Sequence, residues 1–202
     1  IEKNNALVDT NYNIIENNTG TINRYSSDAT LNENSGTINT LSKGSVRKNT
    51  GKINDVNDKN VTIYNYAGGT VGKSDNAWGV RACTVWNMGG IVQGYSSYAD
   101  NVKVYNFEGG TVSNLRKGSV IYNLGGTITD SSTAQVLNCY KVNINSSFVE
   151  TWNDKFIINP DTGEVWLPEG ETGTFTVKDG TPQLYVTGAT LTKQSDTAYT
   201  LS

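Results

Sequence analysis

The feature that most constrains this chain is a short phrase repeated along its first two thirds: an apolar residue, an asparagine, then glycine, a threonine-like residue, and Ile or Val. The glycine before the final pair falls at Gly20, Gly36, Gly51, Gly69, Gly90, Gly110 and Gly126, at spacings of 16, 15, 18, 21, 20 and 16 residues. Ile144 lies 16 residues beyond Ile128 and reads as an eighth copy without its glycines. A repeat this short cannot bury an apolar face by itself, so its copies must stack. Two apolar patches per repeat, such as Val61 with Ile63 and then Val71, predict a strand, a turn and a second strand. Stacked in register, each strand pairs with its copy one coil away at about 4.8 Å. The predicted fold class is therefore all-β: a parallel β-helix, or solenoid, of about eight coils over residues 1–148.

The punctuation fits that fold. Gly68-Gly69, Gly89-Gly90, Gly109-Gly110 and Gly125-Gly126 stand where the chain turns, and glycine enters positive φ without steric cost. Asn65, Asn87, Asn106, Asn123 and Asn138 precede or continue them at matching positions, as expected of an internal amide ladder. Apolar residues make up only 36% of the chain, which suits a coil with a thin core.

Tyr105-Asn106-Phe107-Glu108-Gly109-Gly110-Thr111-Val112 and Tyr122-Asn123-Leu124-Gly125-Gly126-Thr127-Ile128 resemble the Gly-Gly-Thr-Val repeats of bacterial autotransporter and haemagglutinin-type adhesin passengers. The similarity covers roughly residues 14–145 and implies a secreted or cell-surface solenoid acting in adhesion.

Composition changes near residue 146. Of 26 asparagines only Asn153 and Asn159 lie beyond it, while Pro160, Pro168 and Pro182 all do. Residues 149–202 are expected to form a β-rich cap or a small sandwich-like domain. Asn159-Pro160-Asp161-Thr162-Gly163 reads as a tight turn between strands at 156–158 and 164–167, with further strands at 173–178, 183–187 and 190–193.

The absence of histidine removes the commonest general base and metal ligand, and two isolated cysteines, Cys83 and Cys139, form no zinc spacing. Three coils apart, they are expected to be free thiols. No cofactor or metal is expected, and the chain is read as a non-enzyme. A formal charge of -3 gives no footprint for nucleic acid, and no apolar run is long enough to span a membrane. The competing enzymatic reading is a carbohydrate-active β-helix using carboxylates among Asp28, Asp55, Asp58, Asp75, Asp100 and Asp130. A threonine file, Thr21, Thr37, Thr70, Thr111 and Thr127, is interrupted by Lys52 and Ile91 and reads as strand preference rather than an ice-binding face.

The most informative stripe is aromatic. Tyr64, Trp86, Tyr105 and Tyr122 each precede a ladder asparagine, and alternation turns them outward if Ile63, Val85, Val104 and Ile121 point in. Leu137 extends the file, whereas the corresponding positions of earlier coils are polar (Glu16, Asn32, Arg47). The longest repeats add Trp78, Tyr95 and Tyr98 in inserted loops. These seven aromatic residues are the expected ligand-binding face, with a glycan or a host or cell-surface protein as partner. A purely structural stalk is the third reading.

Overall fold

A computed structural model describes residues 2–11, 14–73, 79–94, 101–181 and 184–202. The chain divides into two compact units, Ile1–Val136 and Leu137–Ser202.

The first unit is a parallel β-solenoid of about eight coils. One sheet stacks Lys3–Asn4, Asn17–Asn18, Glu33–Asn34 and Ser45–Asn49, followed by Thr62–Tyr66, Thr84–Met88, Lys103–Phe107 and Val120–Leu124. A second sheet stacks Leu7–Asn11, Thr21–Tyr25, Thr37–Leu41 and Lys52–Asn57, followed by Thr70–Val71, Ile91–Gln93, Thr111–Ser113 and Thr127–Thr129. Each coil contributes one of these strands to each sheet, Thr30–Leu31 and Val80–Arg81 pair in addition with Ser45–Asn49 and Lys52–Asn57 respectively, and neighbouring coils pair in parallel. The Ile or Val of the repeated phrase is the inward residue of the second sheet: Ile22, Ile38, Ile53, Val71, Val92 and Val112 are all fully buried. Lys3–Asn4 and Leu7–Asn11 form a coil that carries Ala6 at the glycine position, so the count of about eight is reached at the N-terminal side and not through Ile144.

Buried asparagines run through the coil as one chain of side-chain hydrogen bonds. Each amide donates to the carbonyl oxygen of the next, Asn4 to Asn18 to Asn34 to Asn49 to Asn65 to Asn87 to Asn106, at 2.7 to 2.9 Å. The ladder expected from Asn65, Asn87 and Asn106 is thus present, and it reaches further toward the N-terminus. At its other end Asn106 Nδ2 donates to the Thr127 carbonyl at 3.1 Å, and the buried Oδ1 of Asn123 has no partner among the described residues. Asn138 does not extend the ladder as expected: it lies exposed in the second unit.

The paired glycines serve two different ends. The first of each pair, as at Gly89 with φ +100°, adopts the left-handed turn. The other glycine file is a point of close approach between coils: a Cβ on Gly36 would sit 2.1 Å from the carbonyl oxygen of Gly20. A side chain there would force the coils apart.

One register change divides the solenoid. In Ser45–Asn49 the inward Val46 and Asn49 are three residues apart, whereas in Thr62–Tyr66 the inward Ile63 and Asn65 are two apart, and the pairing between these strands is irregular. From Ile63 onward the inward apolar residue and the inward amide stand two apart, with Val85, Asn87, Val104 and Asn106 buried, Tyr64, Trp86 and Tyr105 between them half-buried, and Phe107 buried beyond Asn106.

The second unit is antiparallel. Cys139–Val142 pairs with Val165–Pro168, which pairs with Ile157–Ile158. A four-stranded sheet runs in the order Val149–Trp152, Gly173–Val177, Ala198–Leu201, Leu191–Lys193. Val142, Val165, Leu167, Phe175, Val177 and Leu201 are buried in its core. The expected hairpin is present, its turn held by Asn159, whose Oδ1 accepts from the backbone N–H groups of Asp161 and Thr162 at 2.9 and 3.2 Å.

Two expectations in this region are corrected. Ile144 packs against the core of the second unit instead of forming a coil, because the chain has already turned into antiparallel pairing at Cys139. Composition draws the boundary at 148/149, and the two compact units divide at 136/137. The strand expected at 183–187 is absent among its described residues; Thr187 makes only an isolated bridge to Asn143.

Candidate functional site

Alternation after the register change delivers the aromatic file to the outer face of the first sheet. Pairing sets Tyr64 opposite Trp86, Trp86 opposite Tyr105 and Tyr105 opposite Tyr122. Ring centroids are 6.1, 4.2 and 5.0 Å apart, with interplanar angles of 14°, 27° and 23°. The rings therefore lie nearly parallel, stacked along the axis on which the coils stack. Their faces are turned to one another, so it is ring edges that the stack leaves free. Such stacked pairs are each worth about 0.5–1.5 kcal/mol beyond the area they bury.

Two residues that sequence reasoning missed complete the strip. Phe107 stacks on Trp86 at 6.1 Å, and the Lys103 ammonium lies 5.1 and 5.3 Å from the ring centres of Tyr105 and Tyr122. Both stand two residues from Tyr105 on the same face of one strand, so the alternation that singled out the tyrosine also marks them. Trp78, Tyr95 and Tyr98 lie outside the described residues.

Of the carboxylates proposed for catalysis, Asp28, Asp55 and Asp58 have local partners. Asp28 pairs with Lys43 at 3.5 Å. Asp58 accepts from the Asn60 N–H at 2.8 Å. Asp55 accepts from the Gly79 N–H at 3.0 Å; burial raises its carboxyl above the usual range, against the lowering effects of Lys73 and that hydrogen bond. Asp130 is exposed at a left-handed turn, φ +48°, and Asp75 and Asp100 lie outside the described residues. Among the described residues no group of three or more acidic, Cys or His side chains is placed to hold a metal, and no helix is long and apolar enough to cross a membrane.

The threonine file does stand in register on the second sheet, Thr21, Thr37, Lys52, Thr70, Ile91, Thr111 and Thr127 pairing in succession. Beside it runs a second, outer amide ladder: Asn54 donates to Asn39, Asn39 to Asn23 and Asn23 to Asp9, at 2.7, 2.8 and 3.0 Å. Both cysteines are free, Cys83 buried and Cys139 half-buried, and desolvation pushes both thiols up to about 12, with Glu169 adding to the shift at Cys139.

Fold and strip together define a parallel β-solenoid repeat protein with an outward aromatic ladder over its later coils. Compared with known proteins, the chain matches no family model, no curated protein and no solved structure.

Proposed function

We propose that the chain is a non-enzymatic binding module of an extracellular or cell-surface bacterial protein, adhesin-like, and that it docks a glycan or protein ligand on the strip formed by Tyr64, Trp86, Tyr105 and Tyr122. The observation that carries this reading is the row of half-buried, stacked rings with Lys103 beside it. Prestacked rings have little rotational freedom left to lose, so a ligand covering their edges gains contact area at low entropic cost. An extended ligand lying along the axis meets successive rings at the coil spacing.

Screening the protein on a glycan array and on immobilised cell-surface proteins, alongside a Trp86→Ala/Tyr105→Ala double variant, tests the proposal. Binding should fall at least about tenfold in the variant, which is ~1.4 kcal/mol, with a cooperative melt retained. Ligand binding that survives both substitutions would refute the strip as the docking face. A structural stalk is the second reading, favoured by the fact that the ring faces are spent on one another; it predicts lost stability and no ligand.

A further inference from the structure

The second unit carries a cleft of about 450 Å³ that owes nothing to the aromatic strip. Lys141, Asn143 and Asn145 line it along one stretch, Thr162 and Glu164 supply another part of its wall, and Tyr185 a third. Its volume lies within the ~300–1,000 Å³ range of small-ligand sites.

The walls are fixed by backbone hydrogen bonds. Asn143 N–H donates to the Thr187 carbonyl at 3.0 Å and Thr187 N–H returns the bond at 3.1 Å, which anchors the segment carrying Tyr185 two residues away. The Asn159 turn holds Thr162 on the other side. Tyr185 nevertheless leaves 81% of its surface to solvent, more than any other exposed large hydrophobic residue described.

Charge and hydrogen-bonding capacity narrow the ligand. Among the described residues the only charged ones lining the cleft are Lys141 and Glu164, which form an ion pair with each other, so this lining is neutral overall. Neither an anion nor a cation is favoured there. Asn145 spends its Oδ1 on the Ser147 N–H and hydroxyl, at 3.1 and 2.6 Å, which leaves its amide group as a donor. Asn143 spends its Nδ2 on the Thr187 hydroxyl at 3.2 Å, which leaves its Oδ1 as an acceptor. Glu164 engages Lys141 through Oε1, and its second oxygen is a further acceptor. Paired donors and acceptors suit hydroxyl groups, which both give and take a hydrogen bond. An aromatic wall suits the apolar C–H face of a ring that bears them.

We infer that this cleft binds one neutral hexose-type unit of a saccharide, stacked on Tyr185 and held through its hydroxyls by Asn143, Asn145 and Glu164. The site stands independently of the strip on the solenoid, whichever ligand the strip takes.

The test uses the full chain and a panel of neutral oligosaccharides: maltohexaose, cellohexaose, laminarihexaose, mannohexaose and chitohexaose. Saturation-transfer NMR and calorimetric titration read binding, with polygalacturonate as the acidic comparison. At least one neutral oligomer should bind saturably and more tightly than polygalacturonate, and Tyr185→Ala should weaken it about tenfold or more. Asn143→Ala should weaken it as well, and both losses should recur in a Trp86→Ala/Tyr105→Ala background, where the strip no longer contributes. The inference is overturned if no oligomer of the panel binds, if the acidic polymer binds more tightly, if Tyr185→Ala binds like the parent, or if Tyr185→Ala changes nothing in the strip-variant background. Because Tyr185 is so exposed, its truncation leaves the fold intact, and a circular dichroism melt confirms that lost binding is not lost structure.

Discussion

Asn65→Ala should be far more damaging than Asn39→Ala, although each residue accepts one amide hydrogen bond from a neighbouring coil and donates another. Asn65 is fully buried; its Oδ1 accepts from Asn49 at 2.7 Å, and its Nδ2 donates to Asn87 Oδ1 at 2.9 Å and to the Ile91 carbonyl at 3.1 Å. Alanine strands the Asn87 oxygen, whose only side-chain or backbone donor among the described residues is Asn65, and removes the Asn49 amide's partner in the ladder, both in fully buried residues. At about 1–3 kcal/mol for the orphaned Asn87 oxygen, about 1 kcal/mol for the bond lost by the Asn49 amide, which keeps the Gly51 and Thr70 carbonyls, and a small cavity, the loss comes to about 2–5 kcal/mol. That is a large share of the ~5–15 kcal/mol by which a domain is usually stable. Asn39 accepts from Asn54 at 2.7 Å and donates to Asn23 at 2.8 Å, but on the outer, half-exposed face, where water can take over both bonds. Its loss should amount to about 0.5–1 kcal/mol. Urea denaturation followed by circular dichroism and tryptophan fluorescence measures both. Equal destabilisation, within about 1 kcal/mol, would refute the claim that burial of the inner ladder gives it its weight.

Gly36→Ala should destabilise the solenoid by about 2–3 kcal/mol or more, because the new Cβ would lie 2.1 Å from the Gly20 carbonyl oxygen; Gly180→Ala, at φ +75° but in open space, should cost only about 1 kcal/mol, and the same denaturation assay ranks the two. Both thiols are raised from 9.0 to about 12, so the stability they contribute is intact below pH 9 and is lost as the pH climbs toward 12; Cys83→Ala should flatten that alkaline decline in stability. In thiol titration at pH ~8 the native protein should react slowly and the denatured, unreduced protein should yield both cysteines.

Much of the solenoid was legible because the information repeats. A glycine at the same place in seven successive phrases, each followed by Ile or Val, leaves few folds besides a coil, and the same repetition marks Ile63, Val85, Val104 and Ile121 as inward and the rings between them as outward. The first coil escaped notice because it lacks the mark. Its Ala6 occupies the glycine position, and the close approach that excludes a Cβ comes from the preceding coil, as Gly20 meets Ala6 itself. Asn18, Asn34 and Asn49 were hidden by one extra residue between the inward apolar side chain and the amide, a difference that strand pairing absorbs as an irregularity between Ser45–Asn49 and Thr62–Tyr66.

Local sequence determined where the chain turns, which residues alternate and that the coils must stack, since backbone conformation and side-chain direction are set over a few residues at a time. It could not determine where stacking stops. Asn138 and Ile144 keep the spacing of the repeat, yet the chain pairs Cys139–Val142 antiparallel with Val165–Pro168, because a strand takes its partner from whatever edge and apolar face lie within reach, not from its own pattern. The cleft beside Tyr185 has the same origin. Residues 141–145, 162–164 and 185 share no motif, and only hydrogen bonds between distant segments, Asn143 with Thr187 and Asn159 around its turn, bring a ring, two amides and an ion pair to one place.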